Sequence, residues 1–341
     1  MPARWADPMP AFGILDPAQR LRWPRRAAAV KVDACAATAE RSLRLNPSAT
    51  PRHILLATDL GSRSDRALDR AVWIARQWQA RLVALTVVES EPAEAATSVL
   101  ARATGQIGGD RMRMVRAERH LRADVEQAEG LTLVPMVEQG AVTDTVLTVA
   151  TAEGCGLIVI GVARNGALSR VVLGSTVDAL VRRSPVPLLV VRNRARAPYR
   201  QVVVASDFSP ASRHTLQRVA NDLFPDADIT LFHAFDNPYP AIGGVDQTKV
   251  RADGLAQAQR EAEAFIQSCA LPESTHARLQ TWLEHGDPGL LLNAHGQEHP
   301  ADLVVMGTKQ RGGVLGLLLG SVAQRMLEIA ENDVLVVPNG A

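Results

Sequence analysis

Gly161 to Ser175 reads GVARNGALSRVVLGS, and Gly307 to Ser321 reads GTKQRGGVLGLLLGS. Both fit G-x4-G-x7-G-S, and they stand 146 positions apart. Each follows a short apolar run (Leu157 to Ile160, Leu303 to Met306) and precedes a helical stretch that ends in a second one (Pro187 to Val191, Val334 to Pro338). A repeat at fixed spacing means two copies of one structural unit. A glycine-rich turn between a strand and a helix lets backbone N–H groups approach an anion, so phosphate is the chemistry it suits.

Working outward, the first copy predicts strands over 53–58, 82–88, 131–137, 157–160 and 186–191. Ser62 with Asp65 reads as a capping box that starts a helix running to about Gln79. A polar helical stretch spans about 93–128, with Gly105, Gly108 and Gly109 expected to break it. Helices follow over 142–153 and 175–183. The second copy predicts strands over 202–206, 229–235, 276–283, 303–306 and 334–337. Ser209 caps a helix whose first residue is Pro210, the favoured place for proline. Further helices cover 250–269, 288–297 and 321–331. Strands alternating with helices imply right-handed crossovers and a parallel sheet covered on both faces. The fold class is α/β: two tandem, doubly wound, five-stranded parallel sheets of Rossmann-like kind. The expected domains are 52–193 and 200–338, behind an extension over 1–51 expected to be disordered. Ligands of such sheets bind beyond the carboxyl ends of the strands, where strand order reverses. Asp59, Asp207 and both glycine loops fall on that edge.

Composition supports this and excludes much else. The 341 residues are 47% apolar but only 4% aromatic, which suits buried parallel strands of Val, Leu, Ile and Ala. The net charge of +1 gives no bias toward nucleic acid or a membrane surface, although residues 1–50 hold eight Lys and Arg against four Asp and Glu. Cys35, Cys155 and Cys269 stand apart with no C-x-x-C, so a reducing cytoplasm is the expected compartment. No apolar run is long enough for a membrane span, and Pro, Asp and Arg interrupt every candidate leader segment. No H-E-x-x-H occurs, and His285, His295 and His299 read as solvated or capping residues. No Ser-His-Asp, Cys-His or G-x-S-x-G pattern is present. Gly161-x4-Gly166 and Gly307-x4-Gly312 imitate the start of a P-loop, but Ala167-Leu168 and Gly313-Val314 stand where Lys-Ser/Thr is required. Trp73 and Trp78 read as core or interface packing.

Together these residues resemble the universal stress protein family. The carrying pieces are Ala301 to Gly307, Leu319-Gly320-Ser321 and Val334 to Val337, and in the first copy Gly156 to Gly161, Leu173-Gly174-Ser175 and Pro185 to Val191. An Asp after the first strand (Asp59, Asp207) and a Gly after the third (Gly140, Gly286) also match. The resemblance implies a cytoplasmic stress-response protein that binds an adenine nucleotide, ATP with or without Mg2+, and is not a committed enzyme. The implied site residues are Asp59, Gly161, Arg164, Gly166, Gly174 and Ser175, and Asp207, Gly307, Gln310, Gly312, Gly320 and Ser321. It also implies pairing of the two copies through their last strands, with a further homodimer expected because two-fold assemblies are commonest. The chain departs from the family motif at its second glycine, where Arg164 and Gln310 stand. A non-glycine in a left-handed conformation costs about 1–2 kcal/mol, so the loop bears that strain or shifts its turn to Gly166 and Gly312.

Several residues keep two readings. Ser175 and Ser321 suit phosphate donation, and equally begin the capping boxes Ser175-x-x-Asp178 and Ser321-x-x-Gln324. Asp59 and Asp207 suit ribose hydroxyls or a metal, and equally a turn after a strand. Lys309, Arg311 and the glycines 312, 313, 316 and 320 point to residues 307–321 as the better of two phosphate sites. A nucleotide-free protein acting through protein partners is the alternative. An adenylating enzyme is the second, though neither Asp59 to Ser62 nor Asp207 to Pro210 carries its S-G-G-x-D-S-like loop.

Overall fold

The computed structural model describes residues 50–61, 64–89, 106–126, 130–162, 174–235, 247–298, 301–308 and 320–339. The first copy contains β1 (His53–Ala57), α1 (Ser64–Trp78), β2 (Arg81–Val88), α2 (Gln106–Glu126), β3 (Leu133–Gln139), α3 (Val142–Ala152), β4 (Leu157–Gly161), α4 (Ser175–Arg183) and β5 (Leu188–Val191). The second contains β6 (Gln201–Ala205), α5 (Pro210–Arg218), β7 (Asp228–Phe235), α6 (Gln247–Ser268), the short α7 (Glu273–His276), β8 (Leu279–His285), α8 (Pro288–Glu298), β9 (Leu303–Gly307), α9 (Ser321–Ile329) and β10 (Asp333–Val337).

The ten strands of the described residues join in one sheet, ordered β3-β2-β1-β4-β5-β10-β9-β6-β7-β8. The two five-stranded parallel halves meet at β5 and β10, which pair antiparallel with Leu189 opposite Leu335. This is the expected pairing through the last strands. In each half the order reverses between the first and fourth strands, so β1/β4 and β6/β9 are the switch points. Apolar residues alternate faces along the strands. One core carries Leu56, Val204 and Leu335 under α1, α2, α5 and α6. The other carries Leu55, Val203 and Val334 under α3, α4, α8 and α9. Each core runs through both copies without a break. Pro135 lies in β3, at one end of the sheet, where a proline removes no ladder bond from an interior strand.

The structure corrects several boundaries. α2 runs through Gly108 and Gly109, which therefore do not end it. Both sit in its first turn, where the roughly 1 kcal/mol propensity penalty of a helical glycine is tolerated most easily. α1 begins at Ser64, and Ser62 lies outside the described residues, as does the extension over 1–49. Ser209 caps α5 as expected, its side chain accepting from Ser212 N, with Pro210 in the first turn. α5 then widens into a π-helical turn, Val219–Leu223. The N-caps of α4 and α9 are Gly174 and Gly320, one residue before the expected serines. Asp178 bonds Arg182 instead of reaching back, and Gln324 pairs with Glu328.

The joint between copies is clamped by a buried polar cluster. Asp333, without exposure, accepts from Arg192 N at 2.7 Å and Asn193 N at 2.9 Å through Oδ1. Its Oδ2 accepts from the Tyr199 hydroxyl at 2.5 Å and lies 3.6 Å from Arg70 Nε. The Arg70 guanidinium covers the Tyr199 ring at 3.9 Å, and its Nη1 donates to Ala197 O at 2.7 Å. Beside them Trp78 of α1 donates to Leu223 O at 3.0 Å and tilts on Phe224. Trp78 is thus interface packing, as its sequence position suggested, whereas Trp73 remains 39% exposed.

Candidate functional site

The first element of the site is a turn built the same way twice. After β1, Asp59 Oδ1 accepts from Gly61 N at 2.9 Å and from Ser64 Oγ at 2.7 Å. After β6, Asp207 Oδ1 accepts from Ser209 N at 3.2 Å and from Ser212 Oγ at 2.7 Å. Thr58 Oγ1 and Ser206 Oγ each accept from the backbone two residues on, Leu60 N and Phe208 N, at 3.0 Å. These bonds hold Leu60 and Phe208 at φ of 57° and 58°, in the left-handed region. That conformation costs about 1–2 kcal/mol for residues with a Cβ, which the side-chain bonds offset. Both aspartates are therefore turn formers, and both remain exposed at the sheet edge. The serines were not singled out from sequence. A recurring [ST]-D-x4-S at 148 residues, Thr58-Asp59 to Ser64 and Ser206-Asp207 to Ser212, is the signal that finds them.

The second element is the glycine before α4 and before α9. Gly174 has φ −59° and ψ 147°, and Gly320 φ −63° and ψ 155°, angles that any residue adopts. A Cβ built on either meets no atom within 4 Å. Gly307 differs: its Cβ would lie 2.7 Å from Thr215 Oγ1, so packing of β9 on α5 requires that glycine. Gly140 and Gly286, after β3 and β8, have φ of +154° and +138° and so answer to backbone conformation.

These pieces converge on two cavities, one per copy, each at a switch point. The first, of about 700 Å³, is lined by Asp59, Ser64, Gly161, Gly174 and Thr176, with Glu89 and Arg113 at its rim. The second, of about 190 Å³, is lined by Asp207, Ser212, Gly307, Thr308 and Gly320, with Phe232 and His233 among the rest. The sizes run opposite to the order expected from loop composition, and two rings, Phe232 and His233, stand in the lining of the smaller site. Ser175 stands exposed beside the first cavity and begins α4. Ser321 begins α9. Arg164, Gly166, Gln310 and Gly312 lie outside the described residues. So do the side chains of His295 and His299, while His285 meets Phe235 edge-on. Among the described residues no group of three or more His, Cys, Asp or Glu could hold a metal ion.

The sequence model of the universal stress protein family matches residues 50–192 and again 198–338. The chain belongs to the universal stress protein family. It is 27% identical over 303 residues to a universal stress protein of Mycolicibacterium smegmatis, across 85% of this chain and 98% of that one. A solved universal stress protein of Archaeoglobus fulgidus shares the fold with a TM-score of 0.62 at 18% identity, over 85% of this chain and 99% of that chain. A putative universal stress protein of Pseudomonas aeruginosa does so with a TM-score of 0.57 at 22% identity, over 85% and 94%. This universal stress protein is a tandem member, with one family unit in each half of its sheet. Among the described residues no helix is long and apolar enough to cross a membrane.

Proposed function

We propose that this stress-response protein binds an adenine nucleotide, ATP carrying its Mg2+, at the carboxyl edge of the sheet, and that it acts by binding instead of turnover. One observation carries the reading. Gly174 and Gly320 are required neither by backbone angle nor by packing, and each leaves open space before the first turn of a helix. The first-turn N–H groups of a helix have no intrahelical acceptor and carry the positive end of its dipole, so an anion is stabilised there. A side chain at the glycine would stand between those groups and a phosphate. The exposed carboxylates of Asp59 and Asp207 line the same cavities, and as hydrogen-bond acceptors they suit ribose hydroxyls. The buried thiols of Cys155 and Cys269 agree with a cytoplasmic setting. Self-association of the whole chain belongs to the same proposal.

The test is mass spectrometry of small molecules released when the purified protein is heat-denatured, followed by calorimetric titration of ATP into the emptied protein. ATP, ADP or AMP in the supernatant, with saturable ATP uptake, is the expected result. The substitutions Arg164 and Gln310 at the family's glycine position favour a second reading, a protein that works only through protein partners. Failure of the protein to take up any nucleotide selects it.

A further inference from the structure

The two copies share a backbone plan, but their cavities are built from different residues. Strand register makes the comparison direct. In the first copy Leu85 lies beside Met136, and Val88 beside Gln139. At the matching positions of the second copy Phe232 lies beside Trp282, and Phe235 beside His285. The Phe232 and Trp282 rings pack at 4.3 Å. Phe208 and His233 stack at 4.2 Å, where the first copy has Leu60 and Thr86. His233 is further fixed by donating Nδ1–H to Ser206 O at 2.8 Å. Such ring pairs resist displacement, because each buries a large apolar face and holds it in contact. The remaining space, about 190 Å³, falls below the roughly 300–1,000 Å³ of small-molecule sites, whereas about 700 Å³ lies inside that range.

The long helices diverge in step with the strands. Ala117 of α2 and Ala258 of α6 are the first buried alanines of their helices. Four residues before each stand Arg113 and Gly254. Arg113 lines the first cavity together with Val88 and Glu89. Gly254 faces the Phe235 ring, and a Cβ there would lie 3.2 Å from Cε2. At these stations the first copy puts a valine and an arginine in its cavity lining, whereas the second packs an aromatic ring on a glycine outside its cavity lining. Among the described lining residues of both cavities, Arg113 is the one Lys or Arg. Asp59 and Glu89 place two carboxylates on the same rim, so a polyphosphate entering there needs a cation against them.

We infer that the two halves have divided their roles: the first copy holds the nucleotide, with Arg113 contacting its phosphates, and the second, narrowed by Phe232 and His233 in its lining, does not. This rests on the nucleotide reading above and goes beyond it in stoichiometry, location and ligand-contacting residue. A guanidinium opposite phosphate forms charge-assisted bonds that Lys reproduces only as a point charge.

The experiment is calorimetric titration of Mg-ATP and of adenosine into the full chain. The expected stoichiometry is one ATP per chain. Gly174→Val should weaken ATP by roughly tenfold or more, and Gly320→Val should weaken it far less. Both glycines have backbone angles open to any residue, a Cβ on either meets no atom within 4 Å, and matched melting curves verify that both variants fold. Arg113→Ala should weaken ATP by roughly tenfold but spare adenosine, with Arg113→Lys recovering part of the loss. Two equal sites, or binding lost in Gly320→Val and kept in Gly174→Val, overturn the division while leaving the nucleotide reading intact. An unchanged ATP affinity in Arg113→Ala, or an equal loss of adenosine, removes the phosphate role of Arg113. No uptake of either ligand by the wild type refutes the nucleotide reading itself and this inference with it.

Discussion

Tyr199→Phe removes one oxygen from the joint and leaves the ring. The ring keeps its place beneath the Arg70 guanidinium at 3.9 Å, and its edge against Phe224 at 5.5 Å. What disappears is the 2.5 Å bond to Asp333 Oδ2. Asp333 has no exposure, so bulk water does not replace the missing donor. A hydrogen bond to a charged partner contributes about 1.5–3 kcal/mol. The carboxylate keeps two backbone donors and its ion pair with Arg70, so the loss stays in that range and below the ~3–5 kcal/mol of breaking a buried pair outright. At about 2–4 °C per kcal/mol, melting should fall by about 3–12 °C. The effect carries a pH signature. Burial raises the Tyr199 hydroxyl well above its ordinary 10.0, and the Asp333 charge adds to the rise. A folded-state pKa above the unfolded one means the contribution is whole below about pH 10 and fades as pH climbs toward the folded value. The difference between wild type and Tyr199→Phe should therefore narrow above about pH 10. Urea unfolding and scanning calorimetry at neutral and alkaline pH measure both quantities. A neutral-pH difference under about 0.5 kcal/mol, or one that widens with pH, would refute the clamp.

Other outcomes follow from the same geometry. Asp59→Ala and Asp207→Ala should each destabilise by about 1–2 kcal/mol in urea melts without nucleotide, because each frees a strained left-handed residue and a serine hydroxyl. Gly140→Ala should cost more than Gly286→Ala in thermal unfolding: both have positive φ, but only at Gly140 would the Cβ strike a neighbour, Thr145 Oγ1 at 2.7 Å. The Cys155 thiol is pushed up to about 12, first by burial and then by the Glu153 charge. Iodoacetamide at mildly alkaline pH should leave Cys155 unmodified in the folded chain and alkylate it in urea, as read by peptide mass spectrometry. The contribution of that neutral thiol to stability is whole below about pH 9 and declines from there toward about pH 12.

Much of the architecture could be read from the residues because it is local. The glycine-loop repeat gave the duplication, and Ser209 with Pro210 marked a helix start that the structure reproduces. The errors fall where a local signal competes with something distant or subtle. Ser175-x-x-Asp178 has the letters of a capping box, yet Gly174 takes the cap and Asp178 turns to Arg182, four residues ahead. Gly108 and Gly109 looked like breakers, but a helix start tolerates them. Asp333 and Tyr199 stand 134 residues apart, so nothing in either neighbourhood announces their bond. Arg113 was one arginine in a polar helix until the fold placed it at a cavity rim. Loop composition points to the second copy as the better phosphate site, whereas cavity volume points to the first. The residues that narrow the second cavity, Phe232 and His233, lie on β7, far in sequence from the loop.

Leu189 and Leu335 hold the same station in their respective copies, and they face each other across the joint. The ladder is thus the meeting of two like subunits about a local two-fold axis, written into one polypeptide. The short link between Val191 of β5 and Gln201 of β6 keeps the halves at a high effective concentration, so their pairing does not depend on dilution. It also releases them from a constraint that binds any true homodimer. In a homodimer a substitution appears in both subunits at once, and whatever closes one site closes the other. Here Phe232 and Trp282 could arise on one side of the axis while Leu85 and Met136 remained on the other, so the fused pair can be unequal in a way that no assembly of identical chains can.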